Sequence, residues 1–191
     1  MALRLIVGLG NPGAQYELTR HNAGFWFVDA LADKFAGRFA MESKFKGYAA
    51  KAQIDGQAVW LLKPETYMNR SGDAVRALKE FYKIALDEIL VVHDELDLPP
   101  GTARLKKGGG HGGHNGLRSI IANCGGADFF RLRVGIGHPG DRNQVSNFVL
   151  HKASQEEQKR IDESLNNAME VVSLAVSNDM AKAMNQLHSK K

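Results

Sequence analysis

Leu3-Arg4-Leu5-Ile6-Val7-Gly8-Leu9-Gly10-Asn11-Pro12-Gly13 is a nearly continuous apolar run that stops at a glycine-rich turn. Such a run reads as a strand buried on both faces. Its end matters most, because open α/β sheets keep their ligands beyond the carboxyl ends of their strands. The turn therefore predicts a ligand-side position for Asn11. A second buried strand is expected over Glu88–His93, where Ile89-Leu90-Val91-Val92 repeats the signal. Between the two, Phe45–Ile54 and Ala58–Leu62 flank Asp55-Gly56, a hairpin signature.

Helical periods separate these strands. Asn22–Phe35 places Phe25, Val28, Leu31, Ala32 and Phe35 on one face, and Ser71–Tyr82 does so with Val75, Leu78, Phe81 and Tyr82. A short helix is predicted over Asn115–Asn123. A long one opens at Ser154, with Glu157 completing a capping box. Thr102–Lys106 reads as a weaker strand and Phe130–Gly137 as another. Strands alternating with helices predict an α/β fold: one domain over residues 1–191, with a central, mixed, twisted sheet covered by helices on both faces. Residues 186–191 are expected to fray.

Composition narrows the class. The chain has 191 residues, 43% hydrophobic and 24% charged, as expected for a globular domain with a real core. Its single cysteine, Cys124, excludes an internal disulfide and a C-x-x-C site and fits a reducing compartment. The opening apolar run is too short for a signal peptide, and nothing approaches the roughly 20 apolar residues of a membrane span. A cytoplasmic protein is expected. The net charge of +4 permits a nucleic-acid partner without requiring one. Much of the Arg and Lys between 104 and 133 lies close to one stretch, whereas acids gather in Asp87–Asp97 and Glu156–Glu170.

That stretch is Gly108–Gly116, with six glycines in nine residues and only His111, His114 and Asn115 as side chains. Glycine weakens regular elements, so such a run marks a loop or a place where backbone meets a ligand. Arg104, Lys106, Lys107 and Arg118 flank it, which suits an anion, phosphate first. Gly8–Gly13 is literally G-x-G-x-x-G, yet the ribose-binding acid about 20 residues on is missing, since Asp29 falls in a predicted helix. Asn22 is suited to cap the first helix and Asn69 or Ser71 the second. Tyr67-Met68-Asn69 suits a peptide-like ligand. His93-Asp94-Glu95-Leu96-Asp97 offers carboxylates at a strand end. With His111 and His114 these allow a metallohydrolase as an alternative, although H-x-x-H on glycine-rich backbone lacks helical ligand spacing. No nucleophile elbow is present. Hydrolysis would use a water activated by His21, provided an acid such as Asp94 orients the ring.

Six segments together, GLGNPG (8–13), TRHNAG (19–24), KPETYMNRSG (63–72), HDELDLPPG (93–101), GGGHGGHNGL (108–117) and RLRVGIGHP (131–139), resemble bacterial peptidyl-tRNA hydrolases over essentially the whole chain. The resemblance implies hydrolysis of the ester between a peptide and the tRNA ribose, with no metal, no cofactor and no covalent intermediate. It implies that His21 is the base, Asp94 its orienting carboxylate, and Asn11, Asn69 and Asn115 the positioning amides. Tyr16 and Met68 match residues beside the peptide, and His114 is grouped with the substrate-binding residues. Lys106 and Arg133 match cations that hold the tRNA 5′-phosphate, and residues 138–150 match a mobile lid. The implied partner is peptidyl-tRNA, through its acceptor stem and nascent peptide. A monomer with no obligate protein partner and no membrane is expected. The alternative class is a non-catalytic RNA-binding domain.

Overall fold

The computed structural model describes residues 2–190; Met1 and Lys191, the two ends of the segments read above, lie outside them. In chain order the strands are β1 (Leu5–Gly8), β2 (Ala40–Glu42), β3 (Gly47–Ile54), β4 (Gln57–Pro64), β5 (Ile89–Glu95), β6 (Ala103–Lys107) and β7 (Phe130–Gly135). The helices are α1 (Ala23–Lys34), α2 (Ser71–Phe81), α3 (Asn115–Asn123), α4 (Val145–Val149), α5 (Gln155–Val176) and α6 (Met180–His188). One sheet holds all seven strands in the order β2-β3-β4-β1-β5-β7-β6. Parallel pairing runs through β4, β1, β5 and β7, and the pairs β2–β3, β3–β4 and β6–β7 are antiparallel. The sheet is thus mixed, as expected.

β1 is buried along its whole length because it has a parallel neighbour on each side and helices above and below. One face carries α1, α5 and α6, through Phe27, Leu31, Ile161, Val172, Ala183 and Leu187. The other carries α2 and α3, through Val75, Leu78, Leu117 and Ile120. The chain leaves β1 for β4 on one side and later returns to β5 on the other. The carboxyl end of β1 is therefore the switch point where such sheets bind ligands.

Local chemistry explains most element ends. Asp55 and Gly56 both have positive φ, 52° and 78°, the conformation of a two-residue hairpin turn matched to strand twist. Ser154 Oγ accepts the Glu157 N–H, and Glu157 reaches back to Ser154, so the capping box forms. Gly8 and Gly24 let α1 settle onto β1 and β5: a Cβ at Gly24 would lie 2.4 Å from Val92 O. This close approach brings the turn before α1 to the strand ends.

Four local expectations are corrected. β5 continues through Glu95, so His93 and Asp94 lie within the strand. The short edge strand β2 adds to the expected hairpin. Residues 186–188, expected to fray, continue α6, with Leu187 buried and His188 Nε2 accepting the Leu105 N–H at 3.0 Å. Neither Asn22 nor Asn69 nor Ser71 caps its helix. Asn22 instead brackets the peptide of Asn11, and Ser71 Oγ donates to Met68 O.

Candidate active site

A cleft of about 700 Å³ opens over the carboxyl ends of β1, β4 and β5. Nine of the ten residues expected to form the site line it: Asn11, His21, Met68, Asn69, Asp94, Lys106, His114, Asn115 and Arg133. Tyr16 does not; its ring stands edge-on to Tyr67, 6.3 Å between centroids, and the exposed Tyr67 forms the wall.

Asp94 is the centre. Its side chain is 2% exposed, and each carboxylate oxygen meets one imidazole: Oδ2 lies 2.8 Å from His21 Nδ1, and Oδ1 lies 2.8 Å from His114 Nε2. Burial alone would raise its pKa. The two histidines outweigh burial and hold the carboxyl well below the usual carboxylate range. Asp94 is therefore an acceptor only, and both rings must donate to it.

His21 lies in the 3-10 turn Arg20–Asn22 that feeds α1. Burial lowers its pKa, but the charge and hydrogen bond of Asp94 win and raise it. With Nδ1–H committed to Asp94, the remaining lone pair is on Nε2. This is the tautomer a carboxylate imposes on the histidine of serine hydrolase triads.

His114 caps α3. Its Nδ1 accepts the N–H groups of Gly116 at 3.1 Å and Leu117 at 3.3 Å. Both of its ring nitrogens are thus taken by protein partners. Among the described residues, His21, Asp94 and His114 form the one group of three such side chains whose ligand atoms lie within 4.8 Å. The donor set does not suit a metal: His114 Nε2 carries the proton its capping role dictates and can ligate only by giving up the cap. The carboxylates expected to cluster diverge, with Glu95 turned to Arg133 and Asp97 exposed.

Asn11 is buried at the end of β1. Asn22 holds its peptide with two hydrogen bonds, at 2.8 and 3.0 Å, and Asn11 Oδ1 accepts the Met68 N–H at 2.7 Å. Nδ2 is the donor left for the cleft. Asn69 and Asn115 are exposed on the cleft wall, Asn115 as the first residue of α3.

The glycine stretch is held from below. The Arg131 guanidinium, buried, donates to the carbonyls of Gly109 and Gly110. The N–H groups of Gly108, Gly113 and Gly116 are used inside the protein, by Phe129 O, His111 Nδ1 and His114 Nδ1. The positive φ of Gly112 and Gly113 makes the turn that delivers His114. Lys106 is exposed and forms no ion pair among the described residues, whereas Arg133 Nε donates to Glu95 Oε1 at 2.9 Å.

His93 and Arg20 lie outside the expected site residues, and the segment after β7 falls within the expected lid. His93 is buried, with Nδ1 donating to Asp94 O at 2.9 Å and Nε2 without a partner; burial and the neighbouring His114 lower its pKa to about 4. The segment after β7 contributes Arg142, Val145 and Val149 to the wall. Arg20 anchors its end, donating to Phe148 O at 2.8 Å and lying 3.7 Å over the Phe148 ring. Strand parity could have flagged His93; nothing local marked Arg20.

A family profile described as peptidyl-tRNA hydrolase matches residues 5–191. The chain is 59% identical over 187 residues to the peptidyl-tRNA hydrolase of Azoarcus sp. strain BH72, covering 98% of this chain and 85% of that protein. It is 55% identical over 188 residues to that of Neisseria gonorrhoeae strain FA 1090, covering 98% of each. The crystal structure of peptidyl-tRNA hydrolase from Acinetobacter baumannii superposes with a TM-score of 0.97 at 52% identity, covering 99% of this chain and 96% of that one.

Proposed function

The chain belongs to the peptidyl-tRNA hydrolase family, and from that premise we propose that it cleaves the peptidyl-tRNA ester with a water activated by His21. The observation that carries this reading is the His21–Asp94 contact at 2.8 Å in a cleft over the strand ends. Ester hydrolysis near neutral pH needs a water that loses its proton as it attacks. The lone pair on His21 Nε2 accepts that proton, and the buried Asp94 carboxylate stabilises the imidazolium that forms. The proton then passes from His21 to the leaving ribose oxygen, which releases free tRNA and free peptide. Water is the nucleophile, so no covalent intermediate forms.

Charge develops on the carbonyl oxygen, and a preorganised amide N–H stabilises it there. Asn11 is the best-oriented donor, because its Oδ1 is fixed on Met68 N–H. Asn69 and Asn115 supply further amides to substrate and water. Met68, with Tyr67 and Tyr16 behind it, contacts the peptide. Lys106 and Arg133 bind the 5′-phosphate of the acceptor stem, and residues 138–150 act as a lid. Among the described residues no helix is long and apolar enough to cross a membrane. The buried free thiol of Cys124 and the substrate class support work in the cytoplasm, as a monomer, recycling tRNA for translation.

Incubation with peptidyl-tRNA carrying a labelled peptide tests this reading. Peptide release that persists with a chelator, without a burst, is expected. Tight tRNA binding with no release would favour the RNA-binding alternative.

A further inference from the structure

β6 is the outermost strand of the sheet on its side. The outer side of such a strand presents backbone N–H groups that need a cover. Here the cover is α6. Ala183 and Leu187 pack it into the same core cluster as Leu105. Its last residue, His188, closes the edge: Nε2 accepts the Leu105 N–H at 3.0 Å. In return Arg104 Nη1 donates to His188 O at 3.5 Å. An imidazole that accepts at Nε2 carries its proton on Nδ1, and a protonated ring has no acceptor left. The bond therefore exists only with neutral His188.

What this bond holds is the strand that carries Lys106. β6 is five residues long and runs from Lys107 straight into the glycine stretch. β7 supports its inner side, where Lys106 stands opposite Arg131. His188 supports its outer side one residue before Lys106. We propose that His188 is a positioning residue: by accepting the Leu105 N–H it fastens the end of α6 to the sheet edge and holds β6 where Lys106 meets the tRNA 5′-phosphate. This rests on the reading of Lys106 as a phosphate-binding cation.

The charged groups that face His188 favour the neutral ring. Arg104 comes from β6 and Arg133 from β7; partial burial, and then these two guanidinium charges, lower its pKa from 6.5. On α5, Glu170 is taken by Lys190 at 2.6 Å, and on β5, Glu95 is taken by Arg133 at 2.9 Å. The edge is thus closed at neutral pH, and the bond is lost as pH falls below 6.5 through the lowered pKa.

Two substitutions distinguish the acceptor from the bulk of the ring. His188→Gln places an amide oxygen where Nε2 was and does not titrate. His188→Leu fills the space and has no acceptor. In the full chain, amide exchange at Leu105 is followed by NMR, beside kcat and KM on peptidyl-tRNA and on a short substrate without the 5′-phosphate. His188→Leu should speed Leu105 exchange about tenfold, the effect of one lost hydrogen bond. It should raise KM for full peptidyl-tRNA severalfold, with kcat and the short substrate unchanged. His188→Gln should match the parent at neutral pH. The Leu105 amide resonance should move in the parent as pH falls below 6.5 and stay still in His188→Gln. Unchanged Leu105 exchange in His188→Leu overturns the proposal, and so does a His188→Gln as impaired as His188→Leu. Faster exchange with an unmoved KM also overturns it where Lys106→Ala does raise KM. An unmoved KM in Lys106→Ala itself overturns the phosphate reading, and this role with it.

Discussion

Asn11 Oδ1 accepts the Met68 N–H at 2.7 Å, so a side chain at the end of β1 holds the loop that follows β4. Only an oxygen can accept there, which assigns the amide and points its N–H₂ group into the cleft. Asn11→Asp keeps the tie to Met68 and replaces the donor by a second acceptor. It should lower kcat about 10²-fold, the usual effect of removing an oxyanion donor. Asn11→Ala also leaves the Met68 N–H unpartnered and should lose about 1–3 kcal/mol of stability. Single-turnover peptide release and denaturant unfolding measure the two effects; full activity in Asn11→Asp would remove Asn11 from the oxyanion site.

Lys106 and Arg133 should act on tRNA binding rather than chemistry. Replacing either by Ala should raise KM for full peptidyl-tRNA, flatten its salt dependence and leave kcat nearly unchanged. The two should differ in size, because Arg133→Ala strands Glu95 as an unpaired carboxylate on the cleft wall. Arg133→Ala should be the worse of the two, and adding Glu95→Gln should recover part of its loss. A short substrate without the 5′-phosphate should be cleaved equally by Lys106→Ala and the parent; equal impairment on both substrates contradicts phosphate binding.

The buried strands and the hairpin were legible because their signals are local. Ile89–Val92 is a continuous apolar run, and Asp55-Gly56 forms a turn that few other residue pairs allow. β2 is three residues long, largely exposed, and exists only by pairing with β3, so it has no period to detect. α6 buries only Ala183 and Leu187, too narrow a stripe to separate it from a tail. In the site, His21 and Asp94 were readable as types at strand and helix ends, but their contact spans 73 residues. The capping role of His114 was hidden because histidine is not a usual N-cap. Asn22 looked like a cap and proved to hold Asn11, a distinction that depends on the close approach of Gly24 to β1 and β5.

Three ionisable groups at the site, two of them buried, set how stability depends on pH. His93 has a folded pKa lowered to about 4, so its contribution is present above its unfolded value of 6.5 and is lost as pH falls from there toward 4. Asp94 is depressed too, and its contribution is lost only in stronger acid, below its unfolded value of 3.8. His21 is raised, so its contribution is full below 6.5 and disappears as pH rises through its folded pKa. Between pH 6.5 and 5, therefore, the parent should lose stability chiefly through His93. His93→Gln, which cannot titrate, should show a flatter profile in urea unfolding at pH 5 and 7.5; an unchanged slope would contradict a neutral buried His93.

Arg20 joins the His21 turn to the end of α4 through Phe148 O, the Phe148 ring and Glu157, the last at 3.7 Å. Arg20→Met should release residues 145–151, seen as faster amide exchange there, with a lowered melting temperature and a raised KM. Unaltered exchange in that segment would contradict the anchoring role of Arg20.

The central claim is that His21 is the general base. The most direct measurement is single-turnover release of labelled peptide from peptidyl-tRNA by His21→Ala, in protein whose circular dichroism matches the parent. The account predicts a loss of about 10²–10⁴-fold, the range of general-base catalysis, with tRNA binding retained. A folded His21→Ala that keeps more than a tenth of the parent rate would contradict it.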